Sequence, residues 1–100
     1  MFSPRATADF EALEARYRAT TKRAIDVHLR HRPAKVGKSR IKRLRDMRQP
    51  QFRLRVDELR IYYDVDESLQ RVEVLRIIPK PLAEAYVAQE GVPDEADSVG

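Results

Sequence analysis

Hydrophobic and polar residues alternate strictly along residues 52–65. Apolar side chains recur at positions 52, 54 and 56 and again at 59, 61, 63 and 65, which is the period of two expected for half-buried β-strands. If Asp57 and Glu58 form a two-residue turn, Arg55 lies directly opposite Arg60. The pattern therefore predicts an antiparallel hairpin with one apolar face.

The other face of this hairpin carries Arg53, Arg55 and Arg60 beside Tyr62. Like charges directly across a strand pair destabilise a sheet, so stability alone does not favour this arrangement. Arginine side chains stay protonated and bind phosphate through two parallel hydrogen bonds. The face is therefore suited to phosphate, although the spacing alone also fits a solvent-exposed basic sheet surface.

Helical periodicity precedes the hairpin. From Asp9 to about Arg32 apolar residues recur at spacings of three and four, which predicts helix. The Thr20–Thr21 pair is compatible with the start of a second helix or with the interior of one long helix, and both remain open. Pro33 ends the pattern, because the residue before a proline is pushed out of the α region.

A basic run occupies residues 35–48, and we expect a loop leading into a short turn or strand. Ile41, Leu44 and Met47, three residues apart, would anchor one helical turn. The seven basic residues of the run are candidate RNA-binding residues: Lys35, Lys38, Arg40, Lys42, Arg43, Arg45 and Arg48.

A third strand is predicted over Arg71–Ile78, with residues 72 and 74 on one face and residues 75 and 77 on the other. Pro79 and Pro81 end it, and a short helical turn is expected over residues 82–89. We predict a single domain over residues 1–90. Residues 91–100 are acidic and small, and we expect them to be a disordered tail.

Composition limits the partners and the compartment. Residues 1–60 hold seventeen Lys and Arg against seven Asp and Glu, whereas residues 61–100 hold three against nine. Basic charge concentrated in one part of a small domain is the footprint of a polyanion binder. The chain has no cysteine, no apolar stretch long enough to cross a bilayer and no signal-peptide pattern. These features favour a cytoplasmic protein.

Few residues offer catalytic chemistry. His28 and His31 are three residues apart on a predicted helix, and this spacing is too common to indicate a metal site. The chain has only three glycines, and no glycine-rich phosphate-binding loop is present in the sequence. We therefore expect no metal and no cofactor. Lys80 and Tyr86 follow the third strand and join the arginines as candidates. The sequence places no carboxylate or histidine clearly beside the arginine face, and a tyrosine has too high an ordinary pKa to be assumed ionised.

Four segments carry a family resemblance that spans about residues 8–88. They are FSPRATADFEALEARY, HLRHRP, IKRLRDMRQPQFRLRVDELRIYYDVD and VEVLRIIPKPLAEAY. Their order resembles the RelE/ParE superfamily of bacterial type II toxins, and within it the RelE-like branch. The resemblance implies an α+β fold, with an N-terminal helix or helical hairpin packed on a small curved antiparallel sheet. Its first strand would be short or missing, since only residues 1–3 precede the helix.

The same resemblance implies a toxin that cleaves mRNA in the ribosomal A site and is neutralised by a cognate antitoxin. The 2′-hydroxyl attacks the adjacent phosphate without a metal, leaving a 2′,3′-cyclic phosphate. By resemblance, Arg53 and Arg55 would bind backbone phosphate and Arg60 the scissile phosphate. Lys80 would lie near the leaving 5′-oxygen, and Tyr86 would stack on or orient the nucleotide.

The chain departs from the family pattern at three positions. Asp57 stands in place of a turn glycine, Leu59 in place of an aromatic residue and Lys80 in place of an arginine. A lysine does not reproduce the bidentate contact of an arginine. Two further hypotheses therefore remain: a ParE-like inhibitor of DNA gyrase without catalysis, and an inactive basic RNA-binding module.

Overall fold

The computed structural model describes residues 1–36 and 40–94. Its helices are α1 (Pro4–Glu11), α2 (Ala15–His28) and α3 (Lys80–Glu90). Its strands are β1 (Ile41–Arg43), β2 (Met47–Gln49), β3 (Phe52–Val56), β4 (Leu59–Asp66), β5 (Arg71–Pro79) and β6 (Val92–Pro93). The architecture is α+β, as predicted.

The main sheet has the strand order β1-β3-β4-β5, and every neighbouring pair is antiparallel. The hairpin register matches the prediction, with Val56 opposite Leu59 and Arg55 opposite Arg60. Asp57 occupies the turn with φ 51°. This is a left-handed backbone conformation, which residues other than glycine adopt at some cost in energy. The alternation of side chains therefore fixed the register correctly.

The N-terminal region is a helical pair, and it begins earlier than expected. Ser3 caps α1 by accepting a hydrogen bond from the Ala6 amide at 3.0 Å, and Pro4 occupies the first turn, where a proline is tolerated. The break falls at residues 12–14, where Glu14 is extended. Of the two alternatives for Thr20–Thr21, the pair lies inside a helix and does not begin one: Thr20 donates to the Arg16 carbonyl within α2, and Thr21 is fully buried there.

The predicted first strand is reduced to a single parallel bridge between Phe2 and Val74. The Ser3 amide donates to the Val74 carbonyl at 2.9 Å, and the Val74 amide donates to the Met1 carbonyl at 2.8 Å. These bonds occupy part of the β5 edge, so the short N-terminal segment still completes the sheet locally.

The face assignment predicted for β5 was wrong because the strand contains a β-bulge. Tyr62 pairs with Arg76, but Tyr63 pairs with Val74, so Leu75 is an extra residue. A bulge reverses the alternation beyond it. Val74 and Ile77 consequently lie in the same core, at 1% and 3% exposure.

Of the short turn or strand expected after the loop, the structure has strands, and the helical turn suggested at Ile41, Leu44 and Met47 was wrong. Ile41 begins β1 and is buried opposite Leu54, and Met47 begins β2. Strand pairing with the hairpin explains the difference, since it buries Ile41 on the sheet and satisfies the backbone at the same time.

The C-terminal helix α3 is longer than the predicted turn, since it starts at Lys80 with Pro81 in its first turn. The tail expected to be disordered from Gly91 is paired at its start: β6 pairs with β2, and the Asp94 amide donates to the Asp46 carbonyl at 2.9 Å. These backbone bonds account for the difference. Residues 95–100 of that predicted tail lie outside the described residues.

Two apolar clusters lie on opposite faces of the sheet. The larger is formed by one sheet face with α1 and α2, and it includes Leu54, Ile61 and Tyr63. The smaller contains Tyr62 and Ile78 and is covered by α3. Helix α3 therefore lies over part of the arginine-bearing face. No helix within residues 1–36 and 40–94 is long and apolar enough to span a bilayer.

Candidate functional site

A cleft of about 690 Å³ lies between the arginine-bearing sheet face and α3. We call it the arginine cleft. Its walls are formed by Leu44, Arg53, Arg60, Tyr62, Lys80, Ala83, Glu84, Val87 and Ala88. The cleft joins cationic side chains from β3, β4 and the start of α3. It brings together three of the five residues predicted to be catalytic.

Arg53 is half-buried on β3, between Lys42 of β1 and Tyr62 of β4. Burial lowers the pKa of its guanidinium, and the charges of Arg60 and Arg55 lower it further, whereas Tyr62 opposes them. Its buried Nε has no hydrogen-bond partner within the described residues. A buried donor without an acceptor costs about 1–3 kcal/mol. An anion bound beside the guanidinium would relieve the repulsion by Arg60 and Arg55.

Arg60 is 8% exposed, and the hairpin turn fixes its position. Its Nη1 donates to the carbonyl oxygens of Asp57 and Leu59, each at 2.9 Å. The guanidinium is thus held by backbone carbonyl groups of the hairpin turn that precedes Arg60. A cation fixed in this way stabilises developing negative charge without reorganising during a reaction.

Lys80 is the first residue of α3, and its amide donates to the Glu58 carbonyl at 2.8 Å. This bond ties the start of α3 to the hairpin turn beside Arg60. The lysine side chain is exposed on the cleft wall. Its ammonium group is therefore available to a ligand in the cleft.

Tyr62 was described as a neighbour of the arginines but was not among the candidate residues. It is 3% exposed, and burial raises the pKa of its hydroxyl despite the opposing charges of Arg53 and Arg60; Glu84 raises the pKa further. A neutral phenol donates a hydrogen bond rather than taking a proton. Its period-two spacing from Arg60 was the signal that could have included it.

Two predicted catalytic residues do not line the arginine cleft. Tyr86 is half-buried, with its ring 5.0 Å from that of Tyr62 and the Arg76 guanidinium 5.6 Å from its centroid. Burial, followed by the charge of Glu90, raises the pKa of Tyr86. Arg55 is exposed on the same sheet face but outside the cleft walls. The catalytic roles of both remain predictions.

The predicted RNA-binding residues are distributed unevenly. Lys42 pairs with Arg53 in register and extends the basic face, and Lys35, Arg40, Arg45 and Arg48 are exposed. Lys38 lies outside the described residues.

Arg43 differs from the rest of this set because its guanidinium holds the following loop. Its Nη1 donates to the carbonyl oxygens of Leu44 and Gln51, each at 2.8 Å, and its Cζ lies 5.4 Å from the Phe52 ring centroid. Its role in RNA binding remains a prediction, and the contacts assign it a part in the fold.

Glu84 is a second cleft residue that the sequence reasoning did not include. It lines the cleft with Arg53, Arg60 and Lys80. The shorter helix predicted from residue 82 hid the fact that residues 80 and 84 share one helix face. Within residues 1–36 and 40–94, no group of three or more His, Asp or Glu side chains is placed to hold a metal ion.

The structure is similar to a chain of the archaeal RelE–RelB complex from Pyrococcus horikoshii OT3. The TM-score is 0.57 at 15% sequence identity, and the match covers 79% of this chain and 90% of that chain. Neither a family model nor a curated protein sequence matches the chain significantly. The chain therefore has a RelE-like fold, which confirms the fold that the resemblance implied.

Proposed function

We propose that this protein is the toxin of a type II toxin–antitoxin system and that it cleaves mRNA on the ribosome. The observation that carries the proposal is the arginine cleft, which joins Arg53, Arg60 and Lys80 on a RelE-like fold. The reaction is attack of a 2′-hydroxyl on the adjacent phosphate, giving a 2′,3′-cyclic phosphate and a 5′-hydroxyl end. Cleaved messenger would stop translation and arrest growth.

The cleft supplies the positive charge that this reaction needs. Arg53 lines the cleft, and its guanidinium would bind a non-bridging phosphate oxygen. Arg60 is held by the turn carbonyls in one orientation, which suits it to the charge of a pentacoordinate phosphorane. Lys80, which also lines the cleft, would protonate the leaving 5′-oxygen. Tyr62, a neutral phenol whose pKa burial raises further, would donate a hydrogen bond to the bound phosphate or ribose.

A cognate antitoxin is the partner that we propose. The related archaeal chain was crystallised in a complex named RelE–RelB. The basic half of the present chain, with seventeen Lys and Arg against seven Asp and Glu, would attract an acidic partner segment. Such a segment would compete with RNA for the arginine cleft and keep the toxin silent.

A second candidate function is RNA binding without cleavage. Lys80 forms no bidentate contact with phosphate, and Tyr86 is packed against Tyr62 and Arg76 instead of lining the cleft. Both features are compatible with a site that binds the backbone of RNA and leaves it intact.

The test is a cell-free translation reaction with the purified protein, in which mRNA cleavage is mapped by primer extension. We expect cuts within codons that require ribosomes. Arg53→Ala should lower the cleavage rate by about 10²–10³-fold, the usual cost of losing one charge-stabilising donor. Arg23→Ala, an exposed arginine on α2 at the opposite side of the sheet, is the matched control and should cleave normally.

Circular dichroism establishes that each variant is folded. Intact messenger with a folded wild-type protein would overturn the nuclease proposal, and RNA binding in the same sample would favour the second candidate. Inhibition of DNA supercoiling in a gyrase assay would instead favour the ParE-like hypothesis. Equal rates for the Arg53 and Arg23 variants would show that the arginine cleft is not the active site.

A further inference from the structure

We propose that Glu84 is the general base of the arginine cleft and that it takes the proton from the attacking 2′-hydroxyl. The inference rests on the nuclease function proposed above, and it assigns the one role that the arginines cannot fill. Guanidinium groups stay protonated at neutral pH and accept no proton. A carboxylate within reach of the nucleophile can do so.

Glu84 is the one carboxylate among the described residues that line the cleft. It follows Lys80 by four positions on α3, so the two side chains lie one above the other on the same helix face. Ala83 and Val87 fix this face against the sheet through Tyr62 and Ile78. The helix thus holds an acid–base pair of opposite charge over the phosphate-binding arginines.

The Tyr62 hydroxyl locates the Glu84 carboxylate relative to the arginines. The charges of Arg53 and Arg60 lower the pKa of Tyr62, and the charge of Glu84 raises it. All three groups line the same cleft as this phenol. In this proposal, a phosphate bound to Arg53 and Arg60 has its neighbouring ribose against the α3 wall that carries Glu84.

Glu84 is not engaged by the fold. No Lys, Arg or His nitrogen lies within 4.0 Å of its carboxylate in residues 1–36 and 40–94. Glu90, on the same helix, is different: Arg5 hydrogen-bonds to it, and Arg76 Nη1 lies 3.8 Å from its Oε2. The carboxylate of Glu84 is therefore available to a ligand, whereas that of Glu90 stabilises the helix.

Other proton acceptors are poorly placed for this role. Burial raises the pKa of both Tyr62 and Tyr86, so neither phenol is a phenolate at neutral pH. His28 belongs to α2, which packs on the other face of the sheet. Among the described side chains, Glu84 alone combines a proton-accepting group with a position on the cleft wall.

The step balances as an in-line displacement at phosphorus. The 2′-oxygen forms a bond to phosphorus while its proton passes to a Glu84 carboxylate oxygen. The bond from phosphorus to the 5′-oxygen breaks, and the Lys80 ammonium donates a proton to that leaving oxygen. The products are a 2′,3′-cyclic phosphate, a 5′-hydroxyl, a protonated Glu84 and a neutral Lys80, and proton exchange with water restores both residues.

The test is single-turnover cleavage of a ribosome-bound messenger by Glu84→Gln, with Glu11→Gln at an exposed position of α1 as the matched control. We expect the Glu84 variant to cleave about 10²–10⁴-fold more slowly, the usual contribution of a general base. It should bind the programmed ribosome at least as tightly as wild type, because a negative charge has left a phosphate-binding cleft. The rise of the wild-type rate with pH on the acidic side should disappear in the variant.

A substrate with sulfur in place of the 5′-oxygen at the cut site separates a base from an acid, because a thiolate leaves without a proton. This substrate should restore cleavage by Lys80→Ala but not by Glu84→Gln. Restoration of the Glu84 variant, or a Glu84 variant as fast as wild type with an unchanged pH profile, would overturn the inference and leave the nuclease function standing. A folded wild type that cleaves nothing would overturn both.

Discussion

The ion pair between Asp9 of α1 and Arg76 of β5 is expected to be the most important polar contact for stability. Asp9 accepts hydrogen bonds from Arg76 Nε at 2.7 Å, Arg76 Nη2 at 3.1 Å and the Ile77 amide at 2.9 Å. The two side chains are only 16% and 18% exposed. Asp9→Ala would leave the guanidinium with Glu90 at 3.8 Å and the Tyr86 ring face at 5.6 Å.

The size of the effect follows from this burial. Removing one partner of a buried ion pair costs about 3–5 kcal/mol, because the other charge is left without its partner. Since the pair retains some exposure and Glu90 remains near Arg76, we expect the lower end, about 3 kcal/mol. For a domain of this size each kcal/mol shifts Tm by roughly 4–8 °C, so Tm should fall by about 12–24 °C.

Urea denaturation followed by circular dichroism measures this directly. Asp26→Ala is the matched control, because Asp26 is exposed on α2 and the substitution makes the same gain in helix propensity. The difference between the two variants isolates the ion pair. A difference below about 1 kcal/mol, the range of exposed pairs, would refute the reasoning. A double-mutant cycle with Arg76→Met should also show coupling of roughly 1.5 kcal/mol or more.

Two further predictions concern the hairpin turn and the pH dependence of stability. Because Asp57 adopts φ 51°, Asp57→Gly should stabilise the fold by about 0.5 kcal/mol and Asp57→Ala should destabilise it by about 1 kcal/mol; equal urea midpoints would contradict the strained turn. Burial, and then the charge of Arg40, lower the pKa of His28 below its ordinary value of 6.5. The unfolded chain therefore binds more protons at mildly acidic pH, so stability should fall between about pH 7 and pH 5, and His28→Gln should reduce this slope; an unchanged slope would exclude His28 as its source.

The hairpin could be predicted because its signal is local. Alternation of side chains needs only a strand and one buried face, so the register of residues 52–63 follows from the pattern itself. The β-bulge at Leu75 could not be predicted in this way. It depends on how β5 packs against β4 and α1, and nothing in the local pattern of apolar residues marks the extra residue.

The part of the candidate site that lies on the hairpin could also be predicted, because its signal is local. Arg53 and Arg60 followed from hairpin register alone, and the structure brings them into one cleft. Tyr86 required knowledge of α3 packing, which directs its ring against Tyr62. Glu84 required the true start of α3: once the helix begins at Lys80, a spacing of four places both residues on one face.

The charge asymmetry of the chain now has a structural interpretation that bears on mechanism. Several carboxylates of the acidic half are occupied by the protein's own donors: Asp64 accepts from the Gln51 amide, Asp66 from the Ser68 hydroxyl, and Glu90 from Arg5. Among the described residues that line the cationic cleft, Glu84 is the acidic one. Cations alone attract phosphate but cannot remove a proton, so binding and cleavage should depend on different residues. Loss of Arg53 should weaken both, whereas loss of the Glu84 carboxylate should slow cleavage and spare binding.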